Sequence, residues 1–471
     1  MRTRLLLSIL ALSAPAFATT HSVLPGNSIQ AKIDIAVAGD IVAIFGGTYN
    51  EDLTINKAIR LVEVSGQDVT LTGSILFTGV TDCPPLEGFN VGSAGRGITL
   101  TNTTGMVLRN LVGLTSSGVA AGGSSTLEIV DCNLTDINIG GTCTLKLRNT
   151  SINNLTAGGT TAEVWNTTIR NGINQTAGTL HTTSISVAGD FNTQTAALKT
   201  VAFRTTVAGN CLWRTKRSWL GYSKVRGLRF TEATQAKLVV VGCEIDRQGE
   251  QANGIHCNAS NSSILIANNS VIRVGYNWPG IGYWELGDKQ NGIDISGLGN
   301  KLLIVNNYCH LQYYGQDVYG GVRGDGIYVR EFEDAKILNN IIVGAKYGIS
   351  APFGVVAKNN LYWASPWPNN REANGVVAEG TIYADPLFVA NEAPKLQPES
   401  PCINAGTSDP RYNDRDSTRN DIGPSGGAWF DPDGWTTENP VVISFDLLPD
   451  QVLEGVDTEV ILSEGQAVSV P

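Results

Sequence analysis

Leu127-Glu-Ile-Val-Asp-Cys-Asn-Leu134 returns 18 residues later as Leu145-Lys-Leu-Arg-Asn-Thr-Ser-Ile152, and 17 residues after that as Ala162-Glu-Val-Trp-Asn-Thr-Thr-Ile169. A second pattern recurs at longer spacing. Asn253-Gly-Ile-His256, Asn291-Gly-Ile-Asp294, Asp325-Gly-Ile-Tyr328 and Tyr347-Gly-Ile-Ser350 each precede an apolar run that ends in an Asn pair: 268–269, 306–307, 339–340 and 359–360. Short β-runs broken by Gly and Asn at a quasi-regular period are the mark of a solenoid. No rung buries its inward residues alone, and stacked rungs share one long core. A β-sandwich also spaces short strands regularly. Here, however, the repeats resemble one another, and Asn-Gly hairpin turns do not separate paired strands.

Working outward, the fold class is all-β. Helix formers are scarce among the 471 residues, and Val, Ile and Leu lie scattered among Thr, Asn, Ser and Gly, which excludes a helical bundle. One short helix is expected over Ile29–Val37, capped by Ser28 and stopped by Gly39. Residues 440–471 read as two or three strands with acidic turns, too few to bury a core of their own.

The first 18 residues carry Arg2 and Arg4, a short apolar run and the small-x-small site Ala16-Phe17-Ala18, the pattern of a cleaved export signal. The expected organisation is a signal peptide over 1–18, a β-helix over 19–378, a C-terminal cap over 379–435 and a strand tail over 436–471. The expected location is the extracellular space or cell surface, with no transmembrane segment. Residues 379–471 hold 17 acids against 4 bases, whereas 19–378 are nearly neutral. That distribution argues against a nucleic-acid partner. Eight cysteines spread over this length form no dense disulfide framework and read mostly as buried thiols.

Ser28 to Val64, with Gly39-Asp40, Gly47-Thr-Tyr49 and Asn56-Lys57, resembles the N-terminal cap and first rungs of right-handed parallel β-helix proteins, the pectate-lyase-like superfamily. The Asn-pair rungs from about 236 to 363 resemble its repeat. Ala384-Asp-Pro-Leu-Phe388, Ser400-Pro-Cys-Ile-Asn-Ala-Gly406 and Arg419-Asn-Asp-Ile-Gly423 resemble a choice-of-anchor cap. The resemblance implies a right-handed parallel β-helix acting on, or displayed with, extracellular polysaccharide.

Superposing the x-Gly-Ile-x units lines up three columns. Asn253, Asn291, Asp325 and Tyr347 form one; His256, Asp294, Tyr328 and Ser350 the next; Asn258, Ser296, Arg330 and Pro352 the third. The candidate catalytic residues are therefore His256, Asp294, Asp325, Tyr328 and Arg330. Elimination on a uronic acid needs a base, for which Tyr328 or His256 serves, and a cation beside the carboxylate, for which Arg330 serves. Ca²⁺ held by Asp294 and Asp325 would share that second role. Hydrolysis would instead pair Asp294 with Asp325. Aromatics in two long excursions, Trp278, Tyr283, Trp284, Tyr313, Tyr314 and Tyr319, would stack on sugar. Arg214 and Arg217, in an acid-free run interleaved with Trp213, Trp219 and Tyr222, would hold an anionic chain. Asp409, Asp414, Asp416 and Asp421 offer clustered oxygens, either a Ca²⁺ site or partners of Arg411, Arg415 and Arg419.

Two readings of function stay open. One is a secreted or surface protein that binds, and in its fuller form cleaves, extracellular polysaccharide. The other is a non-catalytic surface, adhesion or filament protein that assembles through residues 440–471. A metal-handling β-helix is disfavoured by four His and two Met.

Overall fold

The computed structural model describes residues 18–436, apart from 65, 67, 94, 114–117, 249–251, 275–289, 312–323, 353, 365–374 and 391–393, together with the backbone of strands 441–448 and 462–468. Every strand pairing from Thr20 to Tyr383 is parallel, joining each strand to its equivalent a rung away. The fold is the parallel β-helix expected. Leu127 pairs with Leu145 and Leu145 with Ala162, so the copies in the sequence are stacked rungs.

One 14-stranded sheet runs from Leu86–Glu87 to Val376–Glu379. The rest of each rung belongs to a second, bent system. Lys224–Thr234, for example, is long enough to pair with both Glu244–Asp246 and Ile255–Ser260 of the next rung. Chained pairings of this kind close around the coil without making an up-and-down barrel, since neighbours in the sheet are whole rungs apart in sequence. Alternate residues face inward, and one continuous apolar core runs from Val23 to Tyr362. Its N-terminal end is covered by the helix Ile29–Ile35, which buries Ile29 and Ile33. Ser28 Oγ caps it by accepting from the Ala31 N–H, and Glu51 accepts from the Ile29 and Gln30 N–H groups.

Each rung from Asn110 onward turns one corner in the left-handed region. Asn110, Asp131, Asn149, Asn166, Ser184, Arg204, Tyr222, Gly242, Asn268, Asn306, Asn339 and Asn359 all have φ between 43° and 67°. Asn and Gly take that conformation at least cost. After most of these corners the next residue points inward as a buried polar ladder, Leu111 and Ile185 being apolar exceptions. Asn307 Oδ1 accepts from Asn269 N–H (3.1 Å) and Nδ2 (3.0 Å), and Asn340 Oδ1 accepts from Asn307 N–H (2.9 Å) and Nδ2 (3.0 Å). Asn360 repeats this toward Asn340. Earlier rungs use smaller groups at the same place: Ser223 Oγ accepts from Thr205 N–H, and Thr150 Oγ1 from Cys132 N–H. The two Asn of each pair thus have separate roles, the first making the turn and the second the ladder.

The glycine of x-Gly-Ile-x is steric. A Cβ on Gly292 would lie 2.6 Å from Gly326 O, and one on Gly254 2.7 Å from Gly292 O. Only a bare backbone lets these rungs stack.

From Ala405 to Trp435 the chain runs back along the outside of the corner column as a strap. Asn359 Nδ2 donates to Ala405 O, and Asn339 Oδ1 accepts from Thr407 N–H. Asn306 Nδ2 is held by Asn420 Oδ1, Asp421 O and Gly423 O, and Asn268 Nδ2 donates to Pro424 O and Gly426 O. Further back, Tyr222 Oη donates to Trp429 O and packs edge-on against Trp435, and Arg204 Nε donates to Gly434 O. Trp429 and Tyr412 cover Ala267, Val305 and Leu338, apolar residues that face outward from the 14-stranded sheet. Of the segment expected as a C-terminal cap, 379–435, the strands up to Tyr383 continue the coil and residues 405–435 lie along its flank. Beyond it, Val441–Leu448 and Leu462–Val468 pair antiparallel, and the first lies beside Ala197–Phe203 and Arg217–Gly221.

Two substitutions separate ladder from strap. Asn307→Ala takes the acceptor from Asn269 N–H and Nδ2 and the donor from Ile266 O, Val305 O and Asn340 Oδ1, so urea denaturation is expected to show a loss of about 2–4 kcal/mol, at about 1–3 kcal/mol per unsatisfied group. A loss under about 0.5 kcal/mol, the size of a neutral surface change, would contradict the ladder's role. Asn306→Gly keeps the left-handed corner but removes the strap bonds. Limited proteolysis is expected to cut within 405–436 faster than in the parent, with the coil itself still resistant.

Candidate functional site

The register places His256 beside Asp294, Asp294 beside Tyr328 and Tyr328 beside Ser350, the order expected from the sequence. Arg229 adjoins His256 on the other side. Adjacent rungs are about 4.8 Å apart, so Arg229, His256, Asp294 and Tyr328 form one vertical row. Arg330 follows the same strand as Tyr328; its N–H donates to Ile295 O, which puts it level with Ser296, and its guanidinium lies 5.9 Å from the Tyr328 ring centroid.

The first expected column is not an outward one. Asn291 and Asp325 are buried, and their backbones are tied by side chains: Asn253 Oδ1 accepts from the Asn291 N–H (2.7 Å), and Asn291 Oδ1 from the Asp325 N–H (2.9 Å). Asp325 is fully buried, so it does not face a substrate beside Asp294, and the paired-carboxylate arrangement for hydrolysis is not present.

Asp294 is anchored from two sides, its Oδ2 accepting from Asn253 Nδ2 (3.1 Å) and Asn291 Nδ2 (2.8 Å). Asn253 Nδ2 also lies 3.2 Å from His256 Nδ1. The bond from Asn291 N–H fixes Asn253 Oδ1 as acceptor, so Nδ2 donates and His256 Nδ1 accepts. Assigned in this way from the network, the neutral ring carries its hydrogen on Nε2. Burial holds the His256 pKa below the ordinary imidazole value; the charge of Asp294 opposes the shift and those of Arg229 and Arg330 add to it. A neutral imidazole results, with Arg229 one rung before it and Arg330 two rungs after. It is a hydrogen-bond donor with no competing charge of its own.

For Ca²⁺ the polar row offers little. One Asp294 oxygen is held by two amides, Asp325 is buried, and the ion takes six to eight oxygens. Among the described residues no group of three or more His, Cys, Asp or Glu comes together to hold a metal. In the strap, each acid has donors of its own. Asp409 pairs with Arg411, and Asp416 accepts from Thr418 N–H and Oγ1. Asp414 accepts from the Asp421 and Gly427 N–H groups, and Asp421 from the Asn404 N–H. Arg415 pairs with Asp431, while Arg419 donates to Gly406 O.

The aromatics of the basic-aromatic run do not join this row. Trp213 is fully buried in the core against Phe191. Trp219 is buried under Lys199 and Lys237, and Tyr222 under the strap. Arg214 pairs with Glu232 (3.1 Å), and Arg217 stands on the 14-stranded sheet in register with Lys199 and Lys237. Arg217 is therefore on a different sheet from His256, whereas Arg214 lies two residues beyond Leu212 and is paired with Glu232; the aromatics of the run are not free to stack on sugar. Trp278, Tyr283, Trp284, Tyr313, Tyr314 and Tyr319 lie outside the described residues.

None of the candidate residues read from the sequence falls within 96–203. The row bearing His256 nevertheless continues there through Asn192, Asn174, Thr156 and Asn138, with Leu212 between Asn192 and Arg229. A shallow groove of about 440 Å³ opens among these residues, with Asp136, Asn154 and Asp190 on one wall. Register shifts at Ile152/Asn154, Val207/Asn210 and Thr231/Ala233 break the spacing that would have revealed the row in sequence. Arg229 was visible only as one charge in a basic run.

No protein-family model matches the sequence, and no curated protein does. Among solved structures, a PL6 alginate lyase in complex with a trisaccharide is similar at 10% identity and a TM-score of 0.29, over 77% of this chain and 85% of that one. The A-module of mannuronan C-5 epimerase AlgE6 from Azotobacter vinelandii is similar at 12% identity and TM-score 0.29, over 76% and 94%. Pectate lyase Pel9A is similar at 14% identity and TM-score 0.24, over 87% and 97%. The fold assignment stands on the register described above.

Burial also lowers the pKa of His310, and takes that of His181 down to about 4, helped by Lys199. With folded values below the unfolded one of about 6.5, the unfolded chain takes up protons that the coil refuses. Stability from these groups is thus complete above about pH 6.5 and falls as pH drops toward about 4. Asp414 and Asp421, whose pKa values burial raises, act in the opposite direction. The comparison that isolates the imidazole is wild type against His181→Gln, whose melting temperature is expected to fall less between pH 7 and about pH 4.5. Parallel curves would contradict it.

Proposed function

We propose that the row Arg229–His256–Asp294–Tyr328, with Arg330 beside it, binds an extended acidic polysaccharide lying along the coil axis and cleaves it by elimination. The observation that carries this reading is His256 on an outward strand row, with Arg229 one rung before it and Tyr328 and Arg330 two rungs after, a row that runs on into an open groove. Arg330 and Arg229 meet carboxylates on the chain, and charge developing on one of them in the transition state is stabilised where the cation already sits. Tyr328 Oη reacts as the phenolate: it takes the proton next to that carboxylate, the electron pair becomes a carbon–carbon double bond as the glycosidic C–O bond breaks, and the departing oxygen, hydrogen-bonded by His256 Nε2–H, takes that proton back from the Tyr328 phenol. Asp294 touches no substrate in this scheme; with Asn253 and Asn291 it fixes the imidazole. The N-terminal signal read from the sequence fits a secreted or surface protein, and no helix among the described residues is long and apolar enough to cross a membrane.

A panel of uronate polymers tests this by the ultraviolet absorbance of unsaturated ends. The parent protein is expected to release them from at least one polymer. Tyr328→Phe is expected to lose at least a hundredfold in rate while still binding, and Arg330→Ala to lose at least tenfold in binding, as expected for loss of a charge-assisted contact. Binding without product would leave the non-catalytic glycan-binding reading; no binding to any polymer would overturn both.

A further inference from the structure

The strap occupies the corner column only from Asn359 back to Arg204. The column itself continues for five more rungs, through Ser184, Asn166, Asn149, Asp131 and Asn110, with the same left-handed geometry. Under the strap the corner asparagines Asn268, Asn306 and Asn339 are buried and spend their amides on strap backbone. Beyond it Asn149 and Asn166 are exposed; Asn166 Nδ2 donates to Asn149 Oδ1 (2.8 Å), while Asn149 Nδ2 and Asn166 Oδ1 have no partner among the described residues. Two hollows lie on this stretch, one of about 600 Å³ from Asn110 to Thr168 and one of about 490 Å³ around Trp165 and Asn166.

The outward row beside the corners changes in parallel. Phe203, Ala267, Val305 and Leu338 are buried in the strapped half, whereas the equivalent positions ahead are Thr183, Trp165 and Arg148. Arg148 lies over the Trp165 ring at 5.0 Å, and Trp165 remains half-buried on the wall of the second hollow. The chain's own strand Val441–Leu448 leaves the flank beside Ala197–Phe203, one rung short of this stretch.

We propose that the flank from Asn110 to Ser184 is a docking groove for an extended polypeptide of the strap's own chemistry, a Gly-containing segment that offers a backbone carbonyl to Asn149 Nδ2, a backbone N–H to Asn166 Oδ1 and an aromatic side chain to Trp165. The docking surface already built between strap and corners continues into it without a break, which is why a peptide rather than a saccharide is the fitting occupant. Five rungs span about 19 Å, so about six extended residues fill it. The surface is separate from the His256 row, and the inference does not depend on the activity proposed there.

A synthetic peptide with the sequence of residues 420–435 serves as the probe, titrated into the full chain up to about 1 mM with fluorescence anisotropy and calorimetry; one-to-one saturable binding, that is a dissociation constant below about 1 mM, is the expected result. Trp165→Ala is expected to weaken it at least tenfold, and Asn166→Gly, which keeps the corner conformation, to weaken it likewise. An absence of saturation, or binding that survives both substitutions, would overturn the proposal. So would a neutral or acidic oligosaccharide that binds through Trp165 while the peptide does not.

Discussion

A single contact recurs at the turning points of the coil, most regularly from Asn269 to Asn360: a buried polar group, just past a left-handed residue, accepts the N–H of its counterpart one rung before. Inside a medium of low polarity, such a bond is worth more than its equivalent in water and costs more to leave unmade. The ladder therefore fixes the vertical register of the coil, and everything outside inherits that register. His256, Asp294 and Tyr328 form a row because Asn269, Asn307, Asn340 and Asn360 form one within. The ladder also explains a chemical drift along the chain. Where rungs are short the position is filled by Thr, Ser or Cys, whose own hydrogen is given to the carbonyl two residues back, as Thr150 does to Arg148 and Ser223 to Gly221. In the later rungs it is filled by Asn, whose amide hydrogens are given to neighbouring carbonyls, as Asn307 Nδ2 gives them to Ile266 O, Val305 O and Asn340 Oδ1.

The strap makes the coil less one-dimensional than a solenoid usually is. Repeat proteins hold each unit chiefly through its two neighbours. Here one segment binds corner side chains from Asn359 back to Arg204, so rungs distant in the stack share a partner. The outward-facing asparagines of the repeated pairs are explained by that segment and not by substrate. They keep a backbone turn cheap and, in the same residue, offer an amide to an external chain.

What could be read beforehand divides along the same physical line. Parallel coiling, the short N-terminal helix and the His256–Asp294–Tyr328 row were legible, because each follows from spacing and spacing is what register preserves. Asp325 was misplaced, since it shares a column with Asn253 but not its exposure, and sequence spacing carries no depth. Trp213, Trp219 and Tyr222 looked like a sugar-facing run because adjacency in sequence says nothing of which of three faces a residue occupies. The groove from Asn138 to Asn192 was hidden by one-residue register shifts. The strap was beyond reach, since its partners are 46 to 230 residues away with no periodicity to announce them.

All eight cysteines are reduced and buried, on the rungs from Cys83 to Cys257 and Cys309 and under the strap at Cys402. Burial raises the pKa of seven of them, among them Cys83 and Cys132 to about 11, so the coiled protein presents almost no thiolate to an oxidant. The uncoiled chain has no such shelter. Its chemical fate in an oxidising compartment is therefore a race between winding and mispairing, and the order in which rungs close decides how long each sulfur stays at risk.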